Sequence, residues 1–94
     1  MTGLPMSDAQ LVERMAAGDR RAHELLGERH RLSLYARVYG LLADAAATEE
    51  VLAETLERAW RAARHFNPGA GSAAAWLSEI ARDLAQRRQR PVIS

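Results

Sequence analysis

Residues 48–90 read TEEVLAETLERAWRAARHFNPGAGSAAAWLSEIARDLAQRRQR, and this stretch decides the fold. In its middle, NPGAG (67–71) cannot continue a helix, because Pro68 and two glycines interrupt any run of backbone hydrogen bonds. Before the break, Val51, Leu52, Leu56, Ala59, Trp60 and Ala63 recur at helical spacing and predict a buried stripe. Thr48 is the expected cap of that helix. Its other side carries Glu50, Glu54, Glu57, Arg58 and Arg61, with Glu54–Arg58 and Glu57–Arg61 in the favourable i,i+4 order. After the break, Ser72 opens a second helix in which Trp76, Leu77, Ile80 and Leu84 share a face. Arg82, Gln86 and Gln89 point the other way, and Pro91 marks the end. Two amphipathic helices joined by a small-residue loop are the minimum this stretch requires.

Working outward, Ser7 caps a short helix that buries Leu11, Val12 and Met15 and stops at Gly18. Asp19 caps a longer helix whose predicted apolar face is Leu25, Leu26, Leu32, Tyr35, Val38, Tyr39 and Leu42. Gly27 and Gly40 interrupt it, each at a cost of about 1 kcal/mol against alanine, so a kink or a close helix contact is expected at one of them. The fold class is therefore all-α: a compact four-helix bundle with a short first helix. Residues 1–6 are expected to be a disordered N-terminus, 7–90 the domain and 91–94 a tail.

Composition agrees. The chain has 94 residues, 48% hydrophobic and 27% charged, which suits a single globular domain. No run approaches the roughly 18–20 apolar residues of a membrane span, and no export signal opens the sequence. The absence of cysteine fits a cytoplasmic setting. Net charge is only +1, so bulk electrostatics alone would not attract nucleic acid. Every basic residue is arginine, however, and Arg82, Arg87, Arg88 and Arg90 crowd the last helix. Genome composition explains the missing lysine more readily than function does, but arginine's fork suits phosphate and carboxylate.

No catalytic constellation is present. His23–Glu24 begins a zincin-like motif that lacks its second histidine, and His23 and His30 have no third ligand at a useful spacing. GAGSAAA follows a helix instead of a strand and lacks a phosphate-binding lysine. The carboxylates read as solvated ion pairs on helix surfaces. Neither an enzyme nor a cofactor is expected.

Four stretches in order, LVERMAAGDRRAHELL, ERHRLSLYARVYGLLAD, TEEVLAETLERAWRAARHF and GSAAAWLSEIARDLAQRRQR, resemble region 2 of the bacterial sigma factors of the extracytoplasmic-function (ECF) group. The resemblance spans roughly residues 8 to 90. It implies a domain that docks its acidic helix on a coiled coil of the β′ subunit of core RNA polymerase. It also implies capture of the promoter −10 element, with non-template bases flipped from the stack. Carried over by position, Glu49, Glu50, Glu54 and Arg58 are polymerase-binding candidates. Asn67, Gly69, Gly71 and Ser72 in the loop, and Arg82, Asp83, Gln86, Arg87, Arg88 and Arg90 on the last helix, are DNA-binding candidates. An anti-sigma factor is a further partner that the resemblance implies, and no membrane partner is expected.

The sequence departs from the family pattern at four places. Ala53 stands where the acidic helix usually has glutamine, Leu56 and His23 stand at often aromatic positions, and Asp83 replaces the asparagine of Ile-Ala-Arg-Asn. The last change puts a negative charge where DNA is expected, unless Arg82 or Arg87 neutralises it. The family's second domain, a helix-turn-helix that reads the −35 element, is not within these residues. Two readings stay open: a promoter-recognising sigma region, either part of a longer chain or encoded alone, and a sigma-like interaction module that occupies polymerase or an anti-sigma factor without reading DNA.

Overall fold

The computed structural model describes residues 5–89. Its helices are α1 (Asp8–Ala16), α2 (Arg20–Leu42), α3 (Ala45–Ala62) and α4 (Ala73–Gln89), with two 3-10 turns, Ala63–His65 and Pro68–Ala70, between α3 and α4. α2, α3 and α4 pack on one another in all three pairings, and α1 lies against α2 and the turn that follows α3. Among the described residues no helix is long and apolar enough to cross a membrane. Residues 1–4, Arg90 and the expected tail 91–94 fall outside the described part. Of the expected disordered start only Pro5 and Met6 fall inside it. Met6 packs against the core, and its carbonyl accepts a hydrogen bond from Arg29 at 2.8 Å.

Side-chain caps set all four helix starts. Ser7 and Gln10 form a reciprocal capping box, and the Asp19 carboxylate accepts from the Arg21 and Ala22 amides. Gly18, at φ 94°, makes the turn between them that a residue with a Cβ would strain to adopt. α3 starts earlier than its apolar stripe suggests. Asp44, not Thr48, is the N-cap, and its carboxylate accepts from the Ala47 amide at 2.8 Å. Ala45–Ala47 are good helix formers, so the helix extends back to the first carboxylate able to hold its free amides. Thr48 is then fully buried one turn inside, its hydroxyl donating to the Asp44 carbonyl at 2.7 Å.

Leu11, Val12, Met15, Leu26, Val38, Val51 and Leu77 fill the core, and Ala59, Ala81 and Ala85 let the long helices approach closely. α2 buries Ala22, Leu26, Gly27, Leu34 and Val38. Three residues of its predicted apolar face, Leu25, Leu32 and Tyr39, lie in solvent instead, Leu32 at 84% exposure, while Leu34 is buried. Residues seven apart trace a stripe on any helix, and α2 carries one on each side. Among the described residues, packing partners lie on the side of Leu26 and Val38. α2 runs through Gly27 as one helix, and the glycine is there for proximity: a Cβ would come within 2.9 Å of the Leu56 methyl carbon Cδ1.

Both α2 histidines are half-buried and engaged. The His23 ring nitrogen Nε2 is 2.8 Å from the Leu56 carbonyl, with its ring edge-on to Trp60, and His30 Nε2 is 2.7 Å from Asp8 Oδ2.

Candidate nucleic-acid interface

The connection from α3 to α4 is shaped by its own polar side chains. Asn67 Oδ1 accepts from the Gly69 amide at 2.9 Å, and Ser72 Oγ accepts from the Ala75 amide at 3.1 Å, which caps α4. Between them Gly71 takes φ 155° and ψ 175°, a conformation essentially restricted to glycine. Beneath the loop the half-buried rings of Phe66 and Trp76 meet at 4.9 Å. The result is a depression of about 380 Å³ whose rim includes Asn67, Gly71 and Ser72 and whose α4 wall is Ala75 and Glu79. Gly69 does not line it.

A second depression of about 410 Å³ lies between α2 and α4, bordered by His30, Arg37, Ser78 and Arg82. It shares Ala75 and Glu79 with the first, so the two adjoin on the outer side of α4 as a groove of two parts. Arg82 is exposed in it. Among the described residues Arg20, Arg21, Arg37, Arg61, Arg64 and Arg82 have no carboxylate within ion-pair distance. Two of these six, Arg37 and Arg82, border this groove. Glu79 is a groove residue that neither the resemblance nor the arginine pattern singles out. A signal for it does exist: 75, 79, 82 and 86 fall on one face of α4, opposite Leu77 and Leu84.

Among the described residues the remaining charged candidates, Glu49 apart, pair with one another. Asp83 lies 3.2 Å from Arg87 and 3.6 Å from Arg58, so its charge is met by those two guanidiniums and not by Arg82. Arg88 turns toward α3, donating to Glu50 at 2.6 Å and reaching Glu54 at 3.4 Å. The hydrogen bond to Glu50 is the main reason its pKa is raised above the usual arginine value. Glu49 is held by Arg31 of α2 at 2.6 Å. The expected intrahelical pairs Glu54–Arg58 and Glu57–Arg61 do not form among the described residues. Glu54 and Arg58 are met from α4 instead, whereas on α4 Asp83–Arg87 is itself an i,i+4 pair. Ala53 is exposed on α3, and Gln86 is exposed on α4.

Three comparisons bear on this arrangement. Residues 26–91 match the family model for sigma-70 region 2. The chain belongs to the sigma-70 region 2 family. Among curated proteins it is 34% identical over 80 residues to the ECF RNA polymerase sigma factors SigK of Mycobacterium sp. strains KMS and JLS. The match covers 85% of this chain and 42% of each relative, so the chain spans less than half the length of those relatives. Among solved structures it superposes with a TM-score of 0.82 on an engineered region 2 of sigmaE, determined by NMR in complex with GTAAAA. That match is 26% identical and covers 94% of this chain and 90% of the other.

Proposed function

We propose that this domain binds core RNA polymerase and takes up single-stranded promoter −10 DNA during transcription initiation, by stoichiometric recognition without turnover. The observation that carries the reading is the pair of adjoining depressions along α4, open to solvent, with the glycine-containing loop at one end and Arg82 at the other. A small-residue rim lets a strand approach closely, and arginine supplies salt-sensitive phosphate attraction. Support also comes from the similarity to a sigmaE region 2 whose structure was solved with GTAAAA. The polymerase surface would be α3, where Glu49, Glu50, Glu54 and Arg58 surround the exposed Ala53.

The test is binding of −10-like single strand and of a β′ coiled-coil fragment to the same domain. Log affinity for the strand should fall with log salt at a slope of about −0.7 for each phosphate contacted. Arg82→Ala should make that slope shallower by about one contact. A slope near zero, or an unchanged slope in the variant, would remove the groove from consideration.

One observation favours a second reading, a sigma-like module that occupies polymerase or an anti-sigma factor and ignores DNA. Two carboxylates, Glu79 and Asp83, stand on the α4 surface expected to meet phosphates. Capture of the coiled coil or of an anti-sigma factor with no retention of single strand is the outcome that selects it.

A further inference from the structure

Glu79 lies in the middle of the groove, on the wall shared by its two depressions. It is exposed and, unlike Asp83, has no arginine within ion-pair distance among the described residues. A carboxylate there repels every phosphate, which is a poor way to build a general strand-binding surface. Its neighbours suggest a different use. The loop depression puts Phe66 and Trp76 below, small backbone at the rim, and this carboxylate acceptor on the α4 wall. Aromatic rings offer a face for a base to lie against, and unstacked bases are read by hydrogen bonds to their Watson–Crick edges.

We propose that Glu79 is a specificity-determining residue, which accepts a hydrogen bond from the exocyclic amine of a base extruded into the loop depression. The proposal rests on the single-strand reading above. A carboxylate only accepts, so it selects by what the base donates. Cytosine and adenine each present an amine, and guanine presents an amine beside a ring N–H. Thymine presents one ring N–H between two carbonyl oxygens, and both oxygens repel the carboxylate. The position facing Glu79 therefore admits cytosine, adenine or guanine and rejects thymine. One good base contact is enough to disfavour thymine there by roughly tenfold. The phosphate repulsion is common to all sequences and leaves this ratio untouched.

The experiment is selection of single-stranded 12-mers from a random-sequence DNA pool by the 94-residue chain at low salt, in parallel with Glu79→Gln. The amide of glutamine both donates and accepts, so it tolerates thymine. One position of the enriched motif should be depleted of thymine by roughly tenfold in the parent. In the variant that depletion should vanish, with the other positions unchanged. Equal tightening of all sequences by Glu79→Gln would mean the carboxylate only repels, and the inference would fall while the single-strand reading stood. So would a motif identical in the two proteins. Failure of the parent to retain any 12-mer would end both. Glu79 makes no ion pair among the described residues, so thermal unfolding of the two proteins should coincide and exclude a folding defect.

Discussion

Gly27 and Gly40 share α2 but not a reason for being glycine. A Cβ at Gly40 would meet nothing within 4 Å, whereas at Gly27 the Leu56 side chain is already there. Gly40→Ala should raise stability by about 1 kcal/mol in chemical denaturation, since it restores helix propensity with no clash. Gly27→Ala should gain clearly less, because Leu56 must move. A second contrast concerns the start of α3. Asp44→Ala should cost about 1 kcal/mol as the loss of an N-cap. Thr48→Val should cost less, for the Asp44 carbonyl keeps the Thr48 amide at 3.0 Å. Leu32→Gln should change stability by no more than about 0.5 kcal/mol, as at other exposed positions. That last residue shows how far periodicity reaches. Leu25, Leu32 and Tyr39 satisfy a helical stripe as well as the buried set does, and only the positions of α3 and α4 decide between the two faces.

Between elements, the informative contacts are the charge pairs from α4 to α3. A double-mutant cycle on Glu50→Ala and Arg88→Ala should return a coupling of about 0.2–1 kcal/mol, the range for exposed pairs, and it should shrink as salt is raised. Asp83→Asn should release two arginines, Arg58 and Arg87, from one carboxylate, and so strengthen single-strand binding while steepening its salt dependence. The helices themselves are legible in the sequence. Caps at Ser7, Asp19 and Ser72, the breaker at NPGAG and the stripe of α4 all follow from local chemistry. The i,i+4 pair Asp83–Arg87 is legible too, but the pairings between helices are not, because a guanidinium on a long stem can reach its own helix or the next. Sequence spacing supplies the first possibility alone, as with Glu54–Arg58, and packing supplies the second.

For the molecule as a whole, the loop, the outer side of α4 and the flank of α2 converge on one groove, and the membership of that groove is only half visible in the sequence. The loop residues and Arg82 can be picked out by composition and angle. Arg37 and His30 come from α2 and join only when the helices are assembled. Glu79 escapes any search that follows positive charge alone. Arg88 shows what such an assembly entails. Its guanidinium stands on Glu50 and Glu54, so a ligand on that side of α3 meets carboxylates that already hold a counter-ion. Whatever draws Arg88 away changes the charge those carboxylates present, and by thermodynamic reciprocity a ligand coupled to them is affected by the same factor in return. A single exposed arginine thus sets how acidic this face of α3 is to whatever approaches it.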